Sequence, residues 1–127
     1  MIDRHFTIPM IPRTKKNSQR ILINRRTRRP FIAPSLEYER YQNKVAYFLP
    51  MPRLKIDTPV TITCHFYMPT KRRVDLTNLL ECIDDCLVRY NTITDDSFNI
   101  IASHDGSRVF VDKENPRTEI WIKDFQE

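Results

Sequence analysis

Glycine is almost missing from this chain. Gly106 is the only one among 127 residues. No Gly/Ser-rich linker or low-complexity stretch divides the sequence, so it reads as one domain spanning residues 1–127. Cysteine is scarce as well: Cys64, Cys82 and Cys86 form an odd set without Cys-x-x-Cys spacing. That argues against a disulfide scaffold and suits a reducing compartment. No segment approaches the roughly eighteen apolar residues of a membrane span. The first twenty residues include Asp3, Arg4, Arg13, Lys15, Lys16 and Arg20, and hold no apolar run that could serve as a signal-peptide core. The expected address is the cytoplasm, with no membrane partner.

Acidic residues are absent from Arg4 to Leu36, where nine Lys or Arg residues stand, although the net charge of the whole chain is only +5. This asymmetry is the footprint of a polyanion partner. A solvated basic arm, or one lying on acidic lipid, has the same composition, so charge alone leaves the choice open.

What is present suffices for a core, since 40% of the residues are hydrophobic. A chain this short buries a modest share of its surface, so an added dimer interface would help it. His5 to Pro9 reads as a short strand. The segments Arg20 to Asn24 and Pro30 to Ala33 flank the basic knot Arg25, Arg26, Thr27, Arg28, Arg29, a hairpin tip or mobile loop. Ser35 can cap a helix in which Leu36, Tyr38, Tyr41, Val45, Phe48 and Leu49 form an apolar stripe, ended by Pro50 and Pro52. Thr58 to Met68 alternates Val60, Ile62, Cys64, Phe66 and Met68 onto one face, as a half-buried strand does.

After Pro69 come Lys71, Arg72 and Arg73, then a second helix from Leu76 to Tyr90 with Leu79, Leu80, Ile83, Cys86 and Leu87 on its apolar face. A polar row of Asn78, Glu81, Asp85 and Arg89 lies on another flank. Asn99 to Ser103 suggests a further strand, His104 to Ser107 a turn, and Thr118, Ile120 and Ile122 a closing strand. The expected fold class is α/β (α+β): a single compact domain with a small mixed β-sheet of three to four or more strands and two principal helices.

Phosphodiester hydrolysis must bring a nucleophile against a polyanion that repels it, and carboxylate-held metal ions solve this by clamping the attacking and leaving oxygens. Magnesium prefers oxygen ligands and keeps several waters, so a few carboxylates on loops and element ends can hold it. Asp75, Asp95 and Asp96 are the candidates, and Asp75 follows a phosphate-binding patch of Lys71, Arg72 and Arg73. The plainer reading is that Asp75 N-caps its helix while Asp95 and Asp96 make a turn.

The run KRRVDLTNLLECIDDCLVRYNTITDD resembles the signature region of the RusA-type Holliday-junction resolvases. The family pattern is a basic cluster, Asp-x-Asp-Asn-Leu opening a helix, and Asp-Asp about twenty residues later. Asp75 matches the first motif aspartate, Asn78 and Leu79 the Asn-Leu, Asp85 an acid farther along the helix, and Asp95 and Asp96 the closing pair. Toward the amino end, IPMIPRTKKNSQR resembles the family's opening strand and basic segment, with Asn17 as its asparagine.

The resemblance implies a magnesium-dependent endodeoxyribonuclease, manganese being the alternative ion, that resolves four-way junctions by symmetric paired nicks in recombination and repair. It implies a homodimer, branched DNA as partner, no small-molecule cofactor, and a bacterial or prophage-encoded setting. Asp75 and Asp96 would hold metal, with Asp95 and Glu81 also catalytic. Lys15, Lys16, Asn17, Arg20, Arg25, Arg26, Arg28, Arg29, Lys71, Arg72 and Arg73 would bind nucleic acid, the cations holding phosphates mostly without reading bases.

Two departures stand out. Thr77 replaces the second motif aspartate with a weaker, neutral ligand, and Glu81 stands where many members carry lysine. Glu81 or Asp95 is therefore expected to restore the missing carboxylate. The competing expectation is a junction-binding protein that cuts poorly or not at all because Thr77 cripples metal binding. Cys64, His65, Cys82 and Cys86 match no common zinc spacing, and core packing is the expected role of the cysteines. His104-Asp105 reads as a turn beside a basic edge, with a general-base pair as the alternative. Tyr38, Tyr41, Tyr47 and Phe48 read as core or dimer interface, and Phe31 as either a junction wedge or a buried anchor for its loop.

Overall fold

A computed structural model describes residues 1–15, 20–33 and 35–127, with the backbone but not the side chain of Arg20. The described elements run β1 (Asp3–Ile8), β2 (Arg20–Ile23), β3 (Pro30–Ala33), α1 (Leu36–Val45), a short 3-10 turn (Ala46–Phe48), β4 (Val60–Met68), α2 (Leu76–Arg89), β5 (Ile101–Ser103), β6 (Arg108–Val111) and β7 (Arg117–Asp124). Five strands form one mixed sheet in the order β1-β7-β4, with β5 and β6 both alongside β4, and β2 with β3 forms a separate hairpin. The α+β architecture expected from the sequence is the one observed, with β6 in addition.

Period-two alternation decides which sheet face is buried. In β4, Val60, Ile62, Cys64 and Phe66 point inward with Ile120 and Ile122 of β7 and Ile8 of β1, and all seven are buried. The helices close over them: Tyr38, Tyr41 and Val45 from α1, and Leu79, Cys82, Ile83, Cys86 and Leu87 from α2, complete one core. Ser35 accepts a hydrogen bond from the Tyr38 backbone N–H at 3.1 Å, the expected cap of α1. Leu36 and Phe48 fall at the margin of the stripe and are partly exposed. Tyr47, in the tightened 3-10 turn, is 85% exposed and is not a core residue. All three cysteines are buried and free.

The β5 and β6 strands are one edge interrupted by the turn at Gly106. Both run parallel to β4, through Thr61↔Ser103 and then His65↔Arg108 to Met68↔Val111. Gly106 has φ of 82°, a conformation that strains residues carrying a Cβ. The turn is tied to β4 by Thr63 Oγ1 donating to the Asp105 carbonyl at 2.7 Å and by the Cys64 N–H donating to Ser107 Oγ at 3.0 Å. This docking aims His104 back under the sheet, toward α2.

Candidate active site and nucleic-acid interface

Asp75 occupies the N-cap position of α2, but its carboxylate does not cap the helix. Its backbone carbonyl accepts from the N–H groups of Asn78 and Leu79 at 3.1 and 3.2 Å, while among the described residues its Oδ2 accepts from the Asn78 side chain, at 3.3 Å. An exposed aspartate left out of the usual cap is available for other chemistry. Thr77, in the first turn of α2, is exposed as well.

The other acids converge farther along α2. Asp96, Glu81 and Asp84 each push the Asp85 carboxyl upward, adding to the larger effect of burial, while Lys15 pulls it down. Asp96 and Glu81 act on Asp84 in the same sense. Glu81, Asp84 and Asp85 share one side of α2 by their spacings of three and four, and Asp96 and Lys15 lie near enough to act on Asp85 through their charges. Asp75 enters six residues before Glu81, which is about 9 Å along a helix axis. Among the described residues, no three or more His, Cys, Asp or Glu side chains are gathered closely enough to form a metal cage.

Asp96 reaches this place because the loop that carries it is fastened on both sides. Ahead of it, Ile93 bridges Ile56, the Lys55 and Ile56 N–H groups donate to the Asn91 and Thr92 carbonyls, and the Thr94 N–H donates to the Ile56 carbonyl. Behind it, Ile100 and Ile101 donate to the Ser97 carbonyl, and the Val60 N–H donates to the Ile100 carbonyl. Asp95, next to Asp96, behaves differently. Hydrogen bonds from Ser97 and the local backbone hold its fully exposed carboxyl below the ordinary aspartate range, so it serves its own turn.

His104 pairs with Asp84, not with its neighbour Asp105. Its Nε2 lies 2.8 Å from Asp84 Oδ2, and its Nδ1 lies 2.8 Å from the carbonyl oxygen of Ile62. Burial lowers the affinity of His104 for a proton, but Asp84 and the Ile62 carbonyl outweigh it, and the net direction is upward. The general-base pairing of His104 with Asp105 is not found, because Asp105 belongs to the turn on β4. Neither Asp84 nor the Asp84–His104 contact was singled out in the sequence. The only signal was the doublet Asp84-Asp85, since a contact across twenty residues leaves no periodicity.

The basic residues form two exposed groups. Arg25, Arg26, Arg28 and Arg29 occupy the β2–β3 tip, whose backbone is set by Asn24. Asn24 Oδ1 accepts from the Arg26 and Thr27 N–H groups at 2.9 and 3.2 Å, and its carbonyl accepts from the Arg28 N–H at 2.7 Å. Arg28 takes a left-handed φ of 57° to close the turn. The tip is therefore a built hairpin turn, and Phe31 beside it is 46% exposed instead of a buried anchor.

The second group, Lys71, Arg72 and Arg73, lies in the exposed loop leading to Asp75. Arg72 and Arg73, with Arg13, line a cleft of about 760 Å³ between the Ile11–Thr14 segment, the start of α1 and this loop. Arg13 was not among the residues expected to bind nucleic acid. Lys16 and Asn17, and the side chain of Arg20, lie outside the described residues.

The sequence profile described as Endodeoxyribonuclease RusA matches residues 9–123 of the chain. No curated protein matches it by sequence. No described helix is long and apolar enough to cross a membrane.

Proposed function

The chain belongs to the RusA endodeoxyribonuclease family, and from that premise we propose that it resolves four-way DNA junctions by metal-dependent, symmetric paired nicks, working as a homodimer. Membership implies Holliday-junction resolvase nuclease activity on branched DNA in recombination. What supports the finer reading is that Asp96, from a loop far along the chain, acts through its charge on Asp84 and Asp85 in the same sense as Glu81 does. Such a concentration of carboxylates repels itself and is relieved by a hard cation.

The donor set fits magnesium, or manganese, as an ion held by one or two carboxylates and by the phosphate of the substrate, which needs no preformed cage. Asp75 and Asp96 would hold it. The ion, when bound, would supply charge neutralisation at the scissile phosphate and an activated water. The chain's own part is to bring the backbone to that place. Lys71, Arg72, Arg73, Lys15 and the four arginines of the hairpin tip would hold phosphates, and Lys16, Asn17 and Arg20 would also bind nucleic acid. Such contacts position DNA without reading its sequence. Work on DNA of a bacterium or its prophages places the protein in the cytoplasm.

Glu81 is the better replacement for the carboxylate missing at Thr77. It faces Asp84 and Asp85, whereas Asp95 is engaged in its turn. Glu81→Gln therefore lowers metal-dependent cutting about tenfold or more, a barrier of about 1.4 kcal/mol, while Asp95→Asn stays within a few-fold of wild type. Single-turnover rates compare them, and equal rates for Glu81→Gln and wild type would remove Glu81 from the site.

The hairpin supports the dimer. Ile21, Ile23 and Ile32 are each more than two-thirds exposed on it, and Leu22 and Phe31 are partly exposed. A lone two-stranded ribbon is marginal in water, and an exposed apolar patch marks a contact surface. We assign this patch to a second copy of the chain. Ile21→Asp with Ile32→Asp, a directly paired position, should convert a dimer to a monomer in sedimentation, and an unchanged dimer would place the interface elsewhere.

A second reading, a junction binder that cuts poorly, draws on Thr77 and on the lack of a three-donor cluster among the described residues. Incubation of a synthetic four-way junction with the purified protein, with and without magnesium, separates the two. Paired nicks that require metal support the resolvase, and salt-sensitive binding without product supports the binder.

A further inference from the structure

The Ile62 carbonyl can only accept a hydrogen bond, so the 2.8 Å contact requires a proton on His104 Nδ1. The second 2.8 Å contact, Nε2 to Asp84 Oδ2, then needs one more proton between them, carried by either the imidazolium or the carboxylic acid. In both forms the pair is neutral overall. Neither side chain is matched to a position of the family pattern above, Asp84 lying within the quoted run beside the matched Asp85, and neither is assigned a role as a ligand in the proposed cutting. The contact is placed where it matters, because it joins the middle of α2 to the end of β5 and closes a loop of twenty residues with Asp96 inside it. It forms where the β4–β5 ladder has stopped at Thr61↔Ser103, so the His104 ring continues the attachment of the edge to β4 after the backbone leaves.

We propose that Asp84 and His104 are positioning residues. By sharing one proton they clamp α2 to the β5 end, hold the chain that carries Asp96 between these two anchors, and keep Asp84 from adding an unbalanced negative charge beside Glu81 and Asp85. This rests on the reading of the acidic group as the cutting site. Partners that orient ligands in this way typically alter activity by about 10- to 100-fold when removed.

The test compares Asp84→Ala, His104→Ala, the double variant and Asp84→Asn. In Asp84→Asn the side-chain amide donates to a neutral His104 that keeps its Nδ1 proton, so the clamp survives without the charge. Expected results are a fall in kcat of about 10- to 100-fold for either alanine variant, junction affinity without metal within twofold of wild type, a double variant no worse than the singles, and near-normal kcat for Asp84→Asn. Full activity in His104→Ala, losses that multiply in the double variant, or an Asp84→Asn as slow as Asp84→Ala would each overturn the proposal.

Nitrogen NMR of the His104 ring in the wild-type protein reads the clamp without any cleavage, and an unprotonated Nδ1 would also overturn it. If wild type fails to cut, or Asp96→Asn cuts normally, the cutting site is misassigned. The NMR result then still decides whether the clamp exists.

Discussion

Asp96→Asn and Asp75→Asn each lower the rate of magnesium-dependent junction cutting by about 10³-fold, a loss of about 4 kcal/mol of transition-state stabilisation. The size follows from what a carboxylate ligand does: it places several kcal/mol of charge stabilisation at the scissile phosphate, and an amide of the same shape carries no charge to hold the ion. Folding is not the route of the loss. Asp75 sits at the N-cap without capping, so its replacement costs the helix little. Asp96 is exposed on a loop fastened through the backbone of its neighbours. Binding without metal should be equal or tighter, because each change removes a negative charge from a surface that meets phosphates. Single-turnover cutting and junction binding in chelator, measured side by side, check the claim. Wild-type cutting by either variant would exclude that residue as a ligand.

Alanine at Arg25, Arg26, Arg28 and Arg29 together produces the second large effect. If each arginine neutralises one phosphate, four lost contacts take about 3.6 off the slope of log affinity against log salt, at about 0.9 per contact. Raising salt from about 50 to about 200 mM then weakens the variant about 150-fold less than it weakens wild type. The fold should persist, since the tip is ordered by Asn24 and none of the four arginine side chains is buried. Titration of a labelled junction at several salt concentrations gives the slope directly. An unchanged slope would show that the hairpin tip does not touch DNA and would return the phosphate contacts to Arg13 and the Lys71–Arg73 loop.

These two outcomes separate the functions of two regions that look similar by composition. Carboxylate variants should bind and not cut, whereas tip variants should bind weakly and still cut once bound. A protein that merely recognises junctions would show only the second behaviour, and Thr77 would then be the residue to restore. Thr77→Asp would return the carboxylate of the family motif in an exposed first turn of α2, where an acidic side chain also suits the helix dipole.

Much of the architecture was legible because it depends on local periodicity. The alternation in β4 and β7, the Ser35 cap and the apolar face of α2 all appear in the fold as read, since burying an apolar stripe leaves one way for each element to face. The motif aspartates and the basic clusters were likewise readable from residue type and spacing. The β6 strand was missed because it is short and its burial does not alternate cleanly at the sheet edge. Tyr47 falls outside the core because the helix tightens into a 3-10 turn over Ala46–Phe48, and its exposure leaves the dimer-interface reading of that residue standing.

What the sequence determined by itself, then, is the set of principal elements except β6, their buried faces and the family to which the chain belongs. Only the tertiary structure decided which acids meet. It brought Asp96 to the Glu81–Asp85 side of α2, withdrew Asp95 into its own turn, and set His104 against Asp84 instead of Asp105. The physical reason is that these contacts join residues far apart in the chain. Such pairs depend on how β4 carries the helix, the loop and the Gly106 turn together, and no repeat along the sequence records that.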